Sequence, residues 1–235
     1  MTFPATNWTV LAEATLSGGE SEQEALGRLC ECYWDPISVV IRARGVAVDR
    51  VEDLTQDFFM VLMKGGFFRR AEQAKGKFRT FLLNALRNFL ADDARKTATA
   101  KRGGDLEQVE LREETVAWEE EGSRFDWAWA SALFESAVAE TGSMVKKVRG
   151  ERGWEALRKF LTGDGEGLDY EELAEVLGVR VGAAKTEVSR MRSRFRDHLR
   201  AAVMRTVGSP HEVEEELVFL REALVQRSLS GDDAK

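Results

Sequence analysis

The sequence is poor in the residues that most often build catalytic and metal sites. It contains two histidines, His198 and His211, and neither lies at metal-ligand or triad spacing from an acidic or thiol partner. Its two cysteines, Cys30 and Cys32, are one residue apart, which fits neither a zinc pair nor the usual redox motif. No glycine-rich phosphate loop follows a strand pattern. The sequence therefore predicts no catalytic residue, no metal and no cofactor, and it argues against an enzyme.

Long apolar runs are also missing, so nothing in the sequence is suited to span a membrane. The first ten residues, MTFPATNWTV, contain no basic region followed by an apolar stretch, which argues against a secretion signal. Charged residues make up 32% of the chain. We therefore expect a cytoplasmic protein that uses neither a membrane nor a small-molecule substrate.

Strand-like alternation is absent too, whereas apolar residues recur at helical spacing along the chain. We expect an all-α fold of two small helical domains joined by an acidic linker, the second with a helix-turn-helix, followed by a C-terminal helix. The predicted boundaries are a first domain over residues 1–102, the linker over 103–126, the second domain over 127–207 and a C-terminal helical extension over 208–235.

Positive charge is concentrated in one stretch of an otherwise acidic chain. The net charge is −7, yet residues 64–102 contain eleven Lys and Arg residues against three acidic ones. A helix in this stretch would bury an apolar stripe and leave a basic, amide-bearing face, which suits a phosphate backbone. The preceding segment GGFFRR has aromatics suited to stacking on unpaired bases. A merely solvated charged face explains the same pattern. The residues predicted to face water are Lys77, Arg79, Thr80, Asn84, Arg87, Asn88 and Arg95.

The helix predicted before this stretch, from about Asp49 to Lys64, has a second polar face. Its apolar residues, Val61 among them, fall on one side of the helix. A solvated face and a docking surface for a partner helix both account for the other side, and periodicity does not separate them. That outward side holds Asp53, Gln56, Asp57 and Met60.

The predicted linker over residues 103–126 has nine acidic residues against two basic ones. Its self-repulsion favours an extended, mobile path, although an acidic helix packed by Trp118 also fits the composition. Beyond the linker, the turn signals Thr141-Gly142-Ser143 and Gly150 to Gly153 divide the predicted helices.

The segment after residue 168 has the layout of a helix-turn-helix. Two helices are joined by a turn at Gly178, and the second begins near Val181. Residues 180–205 contain eight Lys and Arg residues against two acidic ones. We favour DNA recognition over a packed helical hairpin, because the turn, the small residues and the charge agree. Arg190 and Lys185 suit guanine edges and Ser189 suits phosphates. The outward strip is Lys185, Thr186, Ser189, Arg190 and Ser193.

Four motifs together resemble one family of proteins. They are DLTQDFF at 53–59, GKFRTFLLNALRNFLADDAR at 76–95, KRGG at 101–104 and YEELAEVLGVRVGAAKTEVSRMRSRF at 170–195. In this order and spacing they resemble the extracytoplasmic-function group of bacterial sigma factors, small subunits that bring RNA polymerase to promoters. The resemblance extends over roughly residues 7–207. One departure is Arg180, which stands where many members have Ser or Thr before the second helix.

The resemblance implies core RNA polymerase and promoter DNA as partners, with an anti-sigma regulator as a further candidate. In such proteins the DLxQxxF helix docks on the clamp helices of the polymerase, which assigns core binding to Asp53, Gln56, Asp57 and Met60. The following loop and helix open the minus-ten element and hold the displaced strand. The residues that match this melting surface are Phe67, Phe68, Arg69, Lys77, Arg79, Asn84, Arg87 and Asn88. The minus-thirty-five element would be read by Lys185, Thr186, Ser189, Arg190 and Ser193.

Two other interpretations remain open at this stage. A helix-turn-helix regulator that acts without stable polymerase binding would normally dimerise to read paired half-sites. A purely structural helical adaptor leaves both basic faces unexplained. The tail after Ser209 is predicted to form a helix that packs on the second domain, or alternatively binds a regulator.

Overall fold

The computed structural model describes residues 20–64, 78–101, 111–162, 169–207 and 210–230. Within these ranges the secondary structure is entirely helical, which confirms the all-α prediction. No helix in the described ranges is long and apolar enough to cross a membrane. The α-helices are α1 (Glu20–Ala43), α2 (Val48–Lys64), α3 (Phe78–Lys101), α4 (Leu111–Thr162), α5 (Tyr170–Leu177), α6 (Val181–Met204) and α7 (Val213–Ser230), and a 3₁₀ turn at Pro210–Glu212 precedes α7.

The chain folds as two compact units. The first comprises Met1–Ala132 together with Met204–Lys235, and the second comprises Leu133–Val203. Two features differ from the arrangement expected from the sequence. The division falls inside α4 rather than at residue 126, and α7 belongs to the first unit instead of packing on the second. Buried apolar residues on α7, Val213 and Leu220, explain why the tail joins a core.

The core of the first unit is built from the apolar stripes of its helices. Ile37 of α1, Phe58 of α2 and Leu82 of α3 are fully buried. The rings of Phe58 and Phe89 lie 5.5 Å apart, and those of Tyr33 and Phe125 lie 6.3 Å apart. These contacts place α2 and α3 side by side, with their polar faces toward water.

The acidic segment before residue 127 is helical from Leu111 onward, so an extended path does not describe its second half. Glu121 of this segment is buried, and its carboxylate lies 2.6 Å from Nε of Arg44. Burial raises the pKa of Glu121, and the Arg44 charge opposes that rise. Arg44, in the turn that follows α1, therefore supplies a counter-ion for a carboxylate of this acidic segment.

The second unit has a separate apolar core. Trp154, Leu157 and Phe160 of α4 pack with Leu173 of α5 and Val188 of α6. Gly150 interrupts α4 with a φ of 71°, a conformation that side chains disfavour, so the predicted division at this glycine is confirmed.

The turn predicted at Thr141-Gly142-Ser143 is wrong, because α4 continues through it. The Thr141 hydroxyl donates to the Ala137 carbonyl at 2.7 Å, a bond that keeps its side chain against the helix. A Cβ on Gly142 would lie 2.8 Å from Cε2 of Trp154. Gly142 therefore provides room for the indole rather than a chain reversal.

The replacement Gly142→Ala is expected to destabilise the protein by about 1–3 kcal/mol, since the added methyl overpacks the Trp154 contact. The matched control is Gly182→Ala in α6, where an added Cβ meets nothing within 4 Å. That control should stabilise by about 0.5–1 kcal/mol, because alanine restricts the unfolded chain and favours helix. Urea unfolding of both variants checks this. A Gly142→Ala protein as stable as the parent would contradict the close packing.

Candidate nucleic-acid interface

The helix-turn-helix of the second unit is shaped by local signals. The Asp169 carboxylate accepts from the Glu171 amide at 2.7 Å and caps α5, and Gly178, with a φ of 64°, ends it. The Val179 amide then donates to the Ala174 carbonyl at 3.0 Å. The predicted start of α6 at Val181 is confirmed.

Arg180 does not prevent this start, although it is not a usual N-cap residue. Its backbone carbonyl accepts from the amides of Ala183 and Ala184, at 2.8 and 3.0 Å, and so begins the helical bonding. α6 therefore begins at Val181 with Arg180 at the N-cap position.

The outward strip predicted on α6 is confirmed as a solvent-exposed surface. Ala184, Val188 and Met191 on the opposite side are buried. The exposed residues are Lys185, Thr186, Ser189, Arg190 and Ser193, which we call the reading strip. One face of α6 thus carries two cations and two serine hydroxyls, together with Thr186, whose hydroxyl donates to the Gly182 carbonyl at 3.0 Å.

Other basic residues hold α6 in place. Arg192 donates through Nε and Nη2 to the Phe160 carbonyl, at 3.1 and 2.8 Å. Arg149 pairs with Glu187 at 2.6 Å, whereas Arg190 is 4.0 Å from the same carboxylate and its side chain is 66% exposed. The Arg190 side chain is therefore largely exposed, while Arg192 and Glu187 make contacts that position the helix.

The polar side predicted on α2 is exposed at Asp53, Gln56 and Asp57, and Met60 is half-buried. Val61 was expected on the apolar side but is 52% exposed. Thr55, a polar residue, is fully buried instead. Its burial is tolerated because its hydroxyl donates a hydrogen bond to the Val51 carbonyl at 2.7 Å.

A groove of about 560 Å³ runs between α2 and α3 and brings together residues from two predicted sets. Asp57 and Met60 line it from α2, and Asn84 and Asn88 line it from α3. Both asparagines are exposed and lie four residues apart, so their amides share one face. We call this site the α2–α3 groove. Its other lining residues include the apolar Phe81, Ala85 and Phe89 and the charged Asp92, Asp93 and Lys96.

The remaining residues of the predicted melting surface are not all in this groove. Arg87 is exposed on α3 but does not line the groove. Phe67, Phe68, Arg69 and Lys77 lie outside the described residues.

Arg79 is not on the exposed face of α3, contrary to the sequence expectation. Its Nε donates to Glu216 of α7 at 2.6 Å, and its Nη1 donates to Asp126 of α4 at 2.6 Å. The guanidinium carbon lies 3.5 Å from the ring centroid of Phe219 and 5.6 Å from that of Trp129. We call Arg79, Asp126, Glu216, Phe219 and Trp129 the arginine cluster.

Arg79 and Glu216 are the buried ion pair of the arginine cluster, and Asp126 is partly exposed. The side chains of Arg79 and Glu216 are 10% and 4% exposed, and Asp126 is 26% exposed. Burial raises the pKa of the neighbouring Tyr33, as do the charges of Cys32 and Glu216. The free-energy cost of removing such a pair from water is nearly as large as the attraction between the two charges. Removing one partner destabilises the protein far more, because the other charge is then buried without a counter-ion.

A signal for this burial was present in the sequence. Arg79 stands three and seven residues before Leu82 and Leu86, and Glu216 stands three after Val213 and four before Leu220. Both charges therefore lie on buried helical stripes. Periodicity identifies such positions, but it does not say that a residue 137 positions away is the partner.

His198 has an acidic partner that sequence spacing did not reveal. Its Nδ1 lies 2.8 Å from Glu140, and its Nε2 lies 3.2 Å from the Met144 sulfur. In the part of the chain that the structure describes, no three His, Cys, Asp or Glu residues are grouped to hold a metal.

Comparison with known proteins points to one family. A sequence profile described as "ECF sigma factor" matches residues 19–201, which is most of the chain and includes α2, α3, α5 and nearly all of α6. α7 lies beyond the matched residues. No curated protein and no solved structure matches the chain.

Replacing Arg79 by Ala should lower the free energy of unfolding by about 3–5 kcal/mol, because two carboxylates would lose a buried counter-ion. Arg95→Ala on the same helix is the control, since Arg95 pairs with Asp92 on the exposed surface. That change should cost less than about 1 kcal/mol. Denaturant unfolding measures both, and equal small losses would mean that the arginine cluster is open to water in solution.

Proposed function

Because the chain belongs to the ECF sigma factor family and is therefore a sigma factor for transcription initiation, we propose that it directs RNA polymerase to promoters through three surfaces. The exposed side of α2 docks on core polymerase, α3 with its preceding loop melts the minus-ten element, and α6 reads the minus-thirty-five element. The observation that carries the proposal is the exposure of the whole reading strip on one face of α6, opposite a buried stripe.

The reading strip has the chemistry that a major groove requires. The Arg190 guanidinium is suited to a bidentate contact with the O6 and N7 atoms of guanine. Lys185 is likewise suited to a guanine edge, and the hydroxyl of Ser189 is suited to phosphates, which fix the register of the helix. The Lys185 ammonium lies 5.4 Å from the Tyr170 ring, so α5 restrains its position before DNA arrives.

In the proposed melting step, the α2–α3 groove contacts an unpaired base, and the phosphates lie outside the groove. The amides of Asn84 and Asn88 both donate and accept, as the edges of an unpaired base require. Asp57, Asp92 and Asp93 also line the groove and repel phosphate there. We therefore place the sugar-phosphate backbone on the Arg87 side of α3 and a displaced base at the amides.

Docking on polymerase uses the outward side of α2. Asp53, Gln56 and Asp57 present two carboxylates and an amide on exposed helix, and Met60 adds a half-buried apolar contact. A polar rim around an adaptable apolar residue is a common composition for a helix-binding surface.

The competing candidate is a helix-turn-helix regulator that acts without polymerase. The family profile disfavours it, because the match includes α2 and α3 as well as the helix-turn-helix. Mixing the protein with core polymerase distinguishes the two. A sigma factor co-migrates with core enzyme and starts transcripts at a promoter, whereas a regulator shifts duplex DNA alone and does neither.

The variant Arg190→Ala should lower selectivity for a cognate over a scrambled minus-thirty-five element by about 1–3 kcal/mol, because a base contact is lost. Binding to core polymerase should be unchanged. Arg196→Ala is the matched control, since Arg196 is an exposed arginine of α6 outside the reading strip. Competition binding of the two holoenzymes measures the difference. If Arg190→Ala and Arg196→Ala lose selectivity equally, Arg190 contributes charge rather than recognition.

The double variant Asp53→Ala, Asp57→Ala should weaken binding to core polymerase by about tenfold or more, which is roughly 1.4 kcal/mol. Loss of two charges at the centre of the docking side is the reason. Glu222→Ala is the control for a lost surface carboxylate, because Glu222 is exposed on α7. Titration of labelled protein with core enzyme measures the affinity, and an unchanged affinity would remove this side of α2 from the interface.

A further inference from the structure

We propose that α7 is a built-in inhibitor of promoter melting, which withholds Arg79 from DNA by pairing it with Glu216 until α7 leaves the first unit. The inference rests on the proposed function, because it assigns a regulator to the melting surface. It also goes beyond that function, since α7 lies outside the residues matched by the family profile.

Glu216 lies on the buried face of α7. Val213, Glu216, Leu220 and Ala223 form one stripe at spacings of three, four and three residues, and all four are buried. The other three members are apolar, as a docked helix requires. A carboxylate within this stripe is costly to bury unless it has a dedicated partner, and that partner is Arg79.

The groups that hold the Arg79 guanidinium resemble those that a nucleic acid would offer it. Two carboxylates accept from its Nε and Nη1, and the face of Phe219 covers its guanidinium. Phosphate oxygens and an unstacked base would use the same donors and the same flat surface. Glu216 and Phe219 of α7 therefore occupy the groups that a melted strand would need, so that docked α7 and DNA compete for Arg79.

The docking of α7 on Arg79 can be reversed without leaving a buried charge unpaired. Release of α7 would return Glu216 to water and leave Arg79 paired with Asp126 of α4, so that neither charge is left buried and alone. The contact between α3 and α7 can therefore open without the penalty that removal of one partner would impose.

The test compares Glu216→Gln with Glu215→Gln in the full-length protein bound to core polymerase. Glu215 is exposed on the same turn, so its replacement removes a charge without touching the arginine cluster. We expect Glu216→Gln to speed opening of a promoter duplex by about fivefold or more, followed with a fluorescent base in the minus-ten element. Glu215→Gln should match the parent. Equal opening rates for Glu216→Gln and the parent would overturn the proposal.

Two further measurements address a purely structural role for the pair. Adding Arg79→Gln to Glu216→Gln should abolish the gain, because the released cation is what acts on DNA; a gain that survives rejects Arg79 as the target. Hydrogen exchange of the unaltered protein should show residues 213–230 losing protection when the holoenzyme opens the promoter. Retained protection in the open complex overturns the proposal even if Glu216→Gln does not fold.

These outcomes are separable from the proposed function. If the unaltered protein binds core polymerase and starts transcripts while Glu216→Gln opens promoters at the parental rate, the sigma-factor function stands and the inhibitory role of α7 fails. If the unaltered protein does not bind polymerase, the proposed function itself fails.

Discussion

The burial of one guanidinium joins three helices of the first unit. Arg79 lies between the carboxylates of Asp126 and Glu216, so that α3, α4 and α7 meet at one cation. A buried arginine tolerates few arrangements, because its planar fork requires acceptors at fixed positions and its charge requires a counter-ion. Apolar contacts at Val213 and Leu220 supply affinity for α7, whereas the ion pair specifies where α7 docks.

The two units place their basic side chains differently, and each placement suits the function that we propose for that unit. In the second unit the supporting cations are used internally, as when Arg192 binds the Phe160 carbonyl, and this leaves the reading strip exposed on a rigid helix. In the first unit a cation expected on the DNA-facing side is withdrawn into the core. The strip that we propose reads duplex DNA is thus exposed, while Arg79 of the predicted melting surface is buried. On the functions we propose, this arrangement suits a factor that must find a promoter before it opens one.

Sequence reasoning succeeded where a structural feature depends on residues close together in the chain. Asp169 and Gly178 define the ends of α5, and the spacing of Ala184, Val188 and Met191 identifies the exposed face of α6. It failed where a distant residue changes the meaning of a local signal. A turn was predicted at Gly142, whereas this glycine makes room for the distant Trp154. For the acidic segment around Glu121, an extended path and a packed helix were both left open, because its partner Arg44 is distant in the chain. Arg79 belongs with these failures, since a charge on an apolar stripe can be recognised locally but its counter-ions cannot.

The sequence by itself determined the helical class, the order of the motifs and the exposed strip of α6, because propensity, capping and periodicity act over a few residues. It also determined the family, whose motifs are read along the chain. Only the tertiary structure decided which unit α7 joins, which carboxylates neutralise Arg79 and which residues of α2 and α3 share a groove. The physical reason is that burial and ion pairing act through space, and the free energy of a charge depends on which groups replace its water.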